Sequence, residues 1–103
     1  MSANIRFIPA EEIAEKVKEL CIKANTCIGG DIRAALAKAR SVETSHLAQS
    51  VLDTLLENAE IAEREKLPLC QDTGTAVVFV SLGRDVHIEG CIDDAINEGV
   101  RRG

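Results

Sequence analysis

Residues 77–80 read Val-Val-Phe-Val, an unbroken β-prone run that limits the folds open to this chain. Successive side chains of a strand point to opposite faces, so a continuously apolar strand needs cover on both sides. The strand reading extends from Thr75 to Leu82. Gly83, Arg84 and Asp85 then read as a turn, Val86 to Ile88 as a second short strand, and Gly90 as its close. A lone strand pair is too small a sheet to be stable by itself. More chain, or a partner, is therefore expected beside Val77 to Val80.

The rest of the sequence is helical in pattern. Pro9, Ala10, Glu11 and Glu12 make a helix start, with two carboxylates at the positive end of the dipole. Ile13, Val17, Leu20, Cys21 and Ala24 then draw one face. Gly29 and Gly30 break this helix, and Asp31 is expected to cap the next, which would bury Ile32, Ala35, Leu36 and Ala39. A third and longest helix begins near Thr44 or Ser45. It carries Leu47, Val51, Leu55, Ala59 and Ala62 inward, and it must stop before Pro68, which disfavours helix at Leu67. From Cys91 to Arg102 a last helix places Asp93 and Asp94 in its first turn and Arg101 and Arg102 in its last.

The order of about three helices, a loop, a short strand pair and a C-terminal helix predicts an α+β fold. At 103 residues, one compact domain fits and two do not. With no Trp or Tyr and only Phe7 and Phe79 as aromatics, the core must be built from Ala, Val, Ile and Leu, which suits closely approaching helices. A net charge of −5 without a basic stripe argues against nucleic acid. No apolar run nears the ~20 residues of a membrane span, and residues 1–10 lack a signal-peptide core, so a cytoplasmic location is expected. The four cysteines, Cys21, Cys27, Cys70 and Cys91, then read as reduced thiols, and none of their spacings is a CxxC or zinc-knuckle pattern.

Chemistry concentrates just before the β-prone run. Cys70, Gln71, Asp72, Thr73, Gly74 and Thr75 place a thiol, an amide, a carboxylate, two hydroxyls and a glycine on six consecutive residues. A loop tied to an element at one end can hold such groups rigidly. Read from the residues alone, a lone cysteine before a strand such as Cys70 is usually a small buried hydrophobe, and Asp72 and Thr73 can simply form a side-chain-bonded turn. Cys21, Cys27 and Cys91 read as packing residues, and His46 and His87 as surface groups.

The segment PLCQDTGTAVVFVSLG, with its helical lead-in, resembles the N-terminal region of iron-sulfur-dependent class I fumarate hydratases and L-tartrate dehydratase alpha subunits. The resemblance runs over nearly the whole chain, and CQDTGTA is its specific part. It implies that Cys70 is one of three thiolate ligands of a [4Fe-4S] cluster. It also implies that Gln71, Asp72 and Thr73 lie at the substrate site, with Asp72 a candidate for proton transfer. The implied partners are a small dicarboxylate and a beta subunit or C-terminal catalytic domain, in a homo- or hetero-oligomer.

The same resemblance places two more cluster cysteines and the substrate-binding basic residues downstream, past Gly103. Residues 1–103 are thus expected to be a single partial domain, the N-terminal portion of a larger hydro-lyase alpha subunit or a truncated product, inactive in isolation. The alternative is a small non-enzymatic helical interaction module that pairs through residues 77–80, with Cys70 a buried structural residue.

Overall fold

The computed structural model describes residues 4–70 and 74–103. Its elements run β1 (Arg6–Pro9), α1 (Ala10–Thr26), α2 (Gly30–Val42), α3 (His46–Glu65), β2 (Val86–Glu89) and α4 (Ile92–Arg102). The α+β expectation holds, with three helices ahead of the loop, α3 the longest at 20 residues, and α4 last. The chain divides into two compact units, Met1–Ile22 with Thr73–Gly103, and Lys23–Asp72.

In the first unit the strand pair is not the one expected. β2 falls where the sequence placed it, but its partner is β1, parallel and in register from Arg6↔Val86 to Pro9↔Glu89. Residues 75–82 form no strand. A hairpin from that run to β2 would have been antiparallel. The parallel pair instead requires the long crossover that the three helices supply. The Arg6 N–H donates to the Asp85 carbonyl at 2.8 Å and the Val86 N–H to that of Gly83 at 3.2 Å, which fixes the turn into β2. Gly90 then takes φ +118°, a conformation that admits glycine at little cost, with Ala10 Cβ only 2.8 Å from where a Cβ would sit.

The same unit brings α4 onto α1 through small residues. Ala14, Val17, Ala95 and Gly99 are buried. The outer rim of the contact is ionic. Arg102 donates to Glu11 at 2.6 Å and to Glu98 at 3.0 Å, while Arg101 reaches Glu98 through two nitrogens. Hydrogen bonds from Arg101 and then Arg102 pull the Glu98 carboxyl from its ordinary 4.5 down to about 2. A carboxylate depressed in the folded state stabilises the fold above its unfolded value, and that contribution disappears as pH falls through the folded one. Acid titration between about pH 4.5 and 2 is therefore expected to weaken the native chain less steeply in an Arg101→Ala/Arg102→Ala variant, as followed by circular dichroism. Identical acid profiles would refute the linkage.

The second unit is a helix pair. Arg33 meets Glu63 at 2.9 Å and Arg40 meets Asp53 at 2.7 Å, so the two helices run antiparallel across the short 43–45 connection. Asp31 does not cap α2. Gly29 takes that place without a side-chain bond, and Asp31 lies in the first turn, where its charge still faces the positive end of the dipole. Ser45 does cap α3, its Oγ accepting from the Ala48 N–H at 3.3 Å. Ser45→Ala should cost about 1 kcal/mol, read as a lower denaturant midpoint at unchanged slope.

Only part of each expected inner face is covered. Ala59 and Ala62 are buried, yet Ile32 is 51% exposed and Leu47 76%, with Val51 and Leu55 also open. The helical period was correct. An apolar stripe over 100° wide needs neighbours on more than one side, and a two-helix pair supplies one.

Candidate functional site

The approach to Cys70 is built where α3 stops. Lys66 ends the helix in a left-handed conformation with φ 56°, its N–H bonded to the Ala62 carbonyl, and the Leu67 N–H shares that acceptor at 3.0 Å. Pro68 prevents the helix from resuming. Two hydrogen bonds then fasten the next residues. The Leu69 N–H donates to the Asn25 carbonyl at 2.7 Å, and the Cys70 N–H donates to Asn58 Oδ1 at 3.2 Å. The cysteine backbone is thus hung on the last turns of α1 and the middle of α3.

Cys70 itself is exposed. Its side chain is thus not covered by the described residues. Gln71, Asp72 and Thr73 lie outside the described residues. Thr75 is exposed, and Gly74 has open space on the side where a Cβ would stand.

Sequence reasoning missed Asn58. Its spacing within α3 gives no signal, and a polar residue amid a helical face reads as solvated. Only the return of the chain to α3 after Pro68 gives it a role. Replacing its acceptor in Asn58→Leu should speed hydrogen exchange at the Cys70 amide roughly five- to tenfold, the equivalent of about 1 kcal/mol. Asn58→Asp keeps an acceptor and should keep exchange slow. No difference between the two variants would dismiss the anchor.

The other candidates are dispersed. Cys21 is half-buried, with its Cβ 2.6 Å from where a side chain on Gly103 would begin. Cys27 is half-buried with its Sγ 3.7 Å from Thr26 Oγ1. Both agree with packing. Cys91 does not, since it is exposed at the N-cap of α4 and makes no side-chain cap bond. His46 is exposed, and His87 stands edge-on to Phe7 with ring centroids 5.5 Å apart. Among the described residues no three His, Cys, Asp or Glu converge on a metal position, and no helix is long and apolar enough to cross a membrane. An open groove of about 310 Å³ is lined by Ile5, Phe7, Arg84, Asp85, Val86 and His87, none of them a site residue designated from sequence.

Comparison with known proteins points one way. The profile of the family described as Fumarate hydratase (Fumerase) matches residues 14–103. A protein named "Putative L(+)-tartrate dehydratase subunit alpha" from Methanocaldococcus jannaschii is 34% identical over 93 residues, covering 88% of this chain and 33% of that protein. One named "Putative fumarate hydratase class I" from Geobacillus stearothermophilus is 30% identical over 97 residues, covering 90% and 19%. The anaerobic class I fumarate hydratase of Escherichia coli is 38% identical over 58 residues, covering 56% and 11%. This chain therefore spans a third or less of these relatives. No solved structure matches it.

Proposed function

Because this chain belongs to the fumarate hydratase (fumerase) family, we propose that it is the N-terminal part of a hydro-lyase alpha chain that reversibly adds water to fumarate to give malate, or dehydrates tartrate. The observation that carries this reading is the family match over residues 14–103, which contains the whole CQDTGTA segment.

The proposed cofactor is a [4Fe-4S] cluster, and the residues at hand fit one corner of it. A cluster ligand must be an accessible thiol on a fixed backbone, and Cys70 is exposed with two successive amides tied down. The described residues hold no complete ligand set, and in this reading the remaining ligands come from the downstream sequence that the family resemblance implies. When bound, such a cluster offers an iron free of protein ligands that acts as a Lewis acid toward a substrate oxygen.

The chain's own contribution is to bind and to move a proton. Gln71 offers amide N–H groups to a substrate carboxylate without adding charge. Asp72, as a carboxyl group at the substrate, can exchange a proton at its carboxyl oxygen. Thr73 offers a hydroxyl that can donate to or accept from a substrate oxygen. A beta subunit or C-terminal domain supplies the remaining groups, in keeping with relatives named as alpha subunits.

The test supplies this chain with the part of an alpha chain it lacks and with a beta subunit, reconstitutes the assembly anaerobically with iron and sulfide, and assays fumarate and L-tartrate separately. Turnover of either supports the reading. Asp72→Asn should keep the cluster spectrum and lose turnover by at least about 100-fold. Wild-type turnover in that variant would end its proton-transfer role, and no turnover of either substrate by the full assembly would end the hydro-lyase reading.

A further inference from the structure

We propose that residues 77–82 form an interior β-strand whose pairing partners lie outside this chain, in the part of a hydro-lyase alpha chain that the family match does not reach. The inference rests on the family reading above, though on neither its substrate nor its cluster.

Exposure along the segment alternates as it does on a strand. Val77 is 70% exposed, Val78 40%, Phe79 93% and Val80 55%. Valine and phenylalanine are β-prone and fill both sets of positions, so an extended backbone here presents two apolar faces. Gly74 through Gly83 contain no charged residue and no proline, in a chain that is 28% charged. Edge strands in native proteins are normally guarded by lysine, proline or a bulge against unwanted pairing. An unguarded tract of this kind belongs between neighbours, not at an edge.

The unit that holds it has room for such a neighbour. β1 and β2 form a two-stranded parallel sheet, so among the described residues each keeps one unpaired edge. Parallel sheets occur almost only with both faces covered, and two strands of four residues are below the size of an independent sheet. A second copy of this chain would satisfy little of this. A two-fold strand pair covers one edge of residues 77–82 and leaves the other edge open. The Methanocaldococcus relative is about three times the length of the matched region, which is enough chain to supply strands and covering helices.

The experiment mixes the intact chain with a polypeptide comprising the portion of the Methanocaldococcus jannaschii alpha subunit outside the matched 93 residues. Amide hydrogen exchange is then read by mass spectrometry. Amides 77–82 should exchange roughly 100-fold more slowly in the mixture than in the chain alone. Phe79→Asp should restore fast exchange while leaving the melting of the chain alone unchanged, since this ring is almost wholly exposed. Unchanged exchange in the mixture, including failure to form a complex, would overturn the proposal. So would slow exchange that persists in Phe79→Asp, or protection that grows with the concentration of this chain without the added polypeptide. Turnover is measured apart: protection without turnover sinks the hydro-lyase reading and spares the strand, and turnover without protection does the reverse.

Discussion

Gly99→Val is expected to lower the stability of the chain by about 3 kcal/mol or more, and Gly99→Ala by about 1–2 kcal/mol. A Cβ at position 99 would stand 2.5 Å from Val17 Cβ and 2.6 Å from the Ala14 carbonyl oxygen. Both neighbours are buried, and one is backbone, so neither can swing aside. Two effects oppose each other in the alanine variant. Glycine inside a helix costs about 1 kcal/mol relative to alanine, so Gly99→Ala regains that much in α4. The overlap is larger, because relieving it means moving α4 away from α1 and opening the contact at Ala95 as well. Total stability for a domain of this size is about 5–15 kcal/mol, so the valine change removes a large fraction of it. Gly30→Ala is the control of opposite sign. Nothing lies within 4 Å of its added methyl in α2, and a gain of about 0.5 kcal/mol is expected. Urea unfolding at constant slope measures all three. Equal midpoints for wild type and Gly99→Ala would show that α4 is not seated on α1 at this glycine.

Sequence reasoning succeeded where the signal is local and failed where it depends on what lies across the fold. The helix starts at Ala10 and Ser45, the stop before Pro68 and the charge-complemented α4 are all written in adjacent residues. β2 was legible for the same reason. β1 was not, because Arg-Phe-Ile-Pro is only four residues long and becomes a strand by pairing with a segment 80 positions away. The opposite error befell residues 75–82, whose propensity is strong but which pair with none of the described residues, and propensity alone does not hold a strand. At the site, the motif drew attention to Cys70 through its residue types. The two groups that fasten it, the Asn25 carbonyl and the Asn58 side chain, carry no sequence signature, because one is backbone and the other matters only through a tertiary contact.

Cys70→Ser is expected to abolish cluster assembly without unfolding the chain. The two halves of that expectation have separate physical grounds. Serine keeps the backbone N–H that donates to Asn58 Oδ1 and differs from cysteine by one atom at an exposed position, so the fold loses no packing and no hydrogen bond. Its hydroxyl, however, is a hard and weakly acidic donor that replaces a soft thiolate poorly on iron. Loss of a supporting contact to a ligand already costs 10–100-fold in metal affinity. Loss of the ligand itself should then lower cluster content of the reconstituted assembly by at least about tenfold. Cys91→Ser is the matched control, likewise exposed but N-capping α4 instead of opening the CQDTGTA segment. Iron and acid-labile sulfide per chain, with the visible absorption of the cluster, report both variants beside their thermal melts. Wild-type cluster content in Cys70→Ser would remove Cys70 from the ligand set, and equal losses in both variants would show that exposed thiols in general, not the motif cysteine, capture the iron.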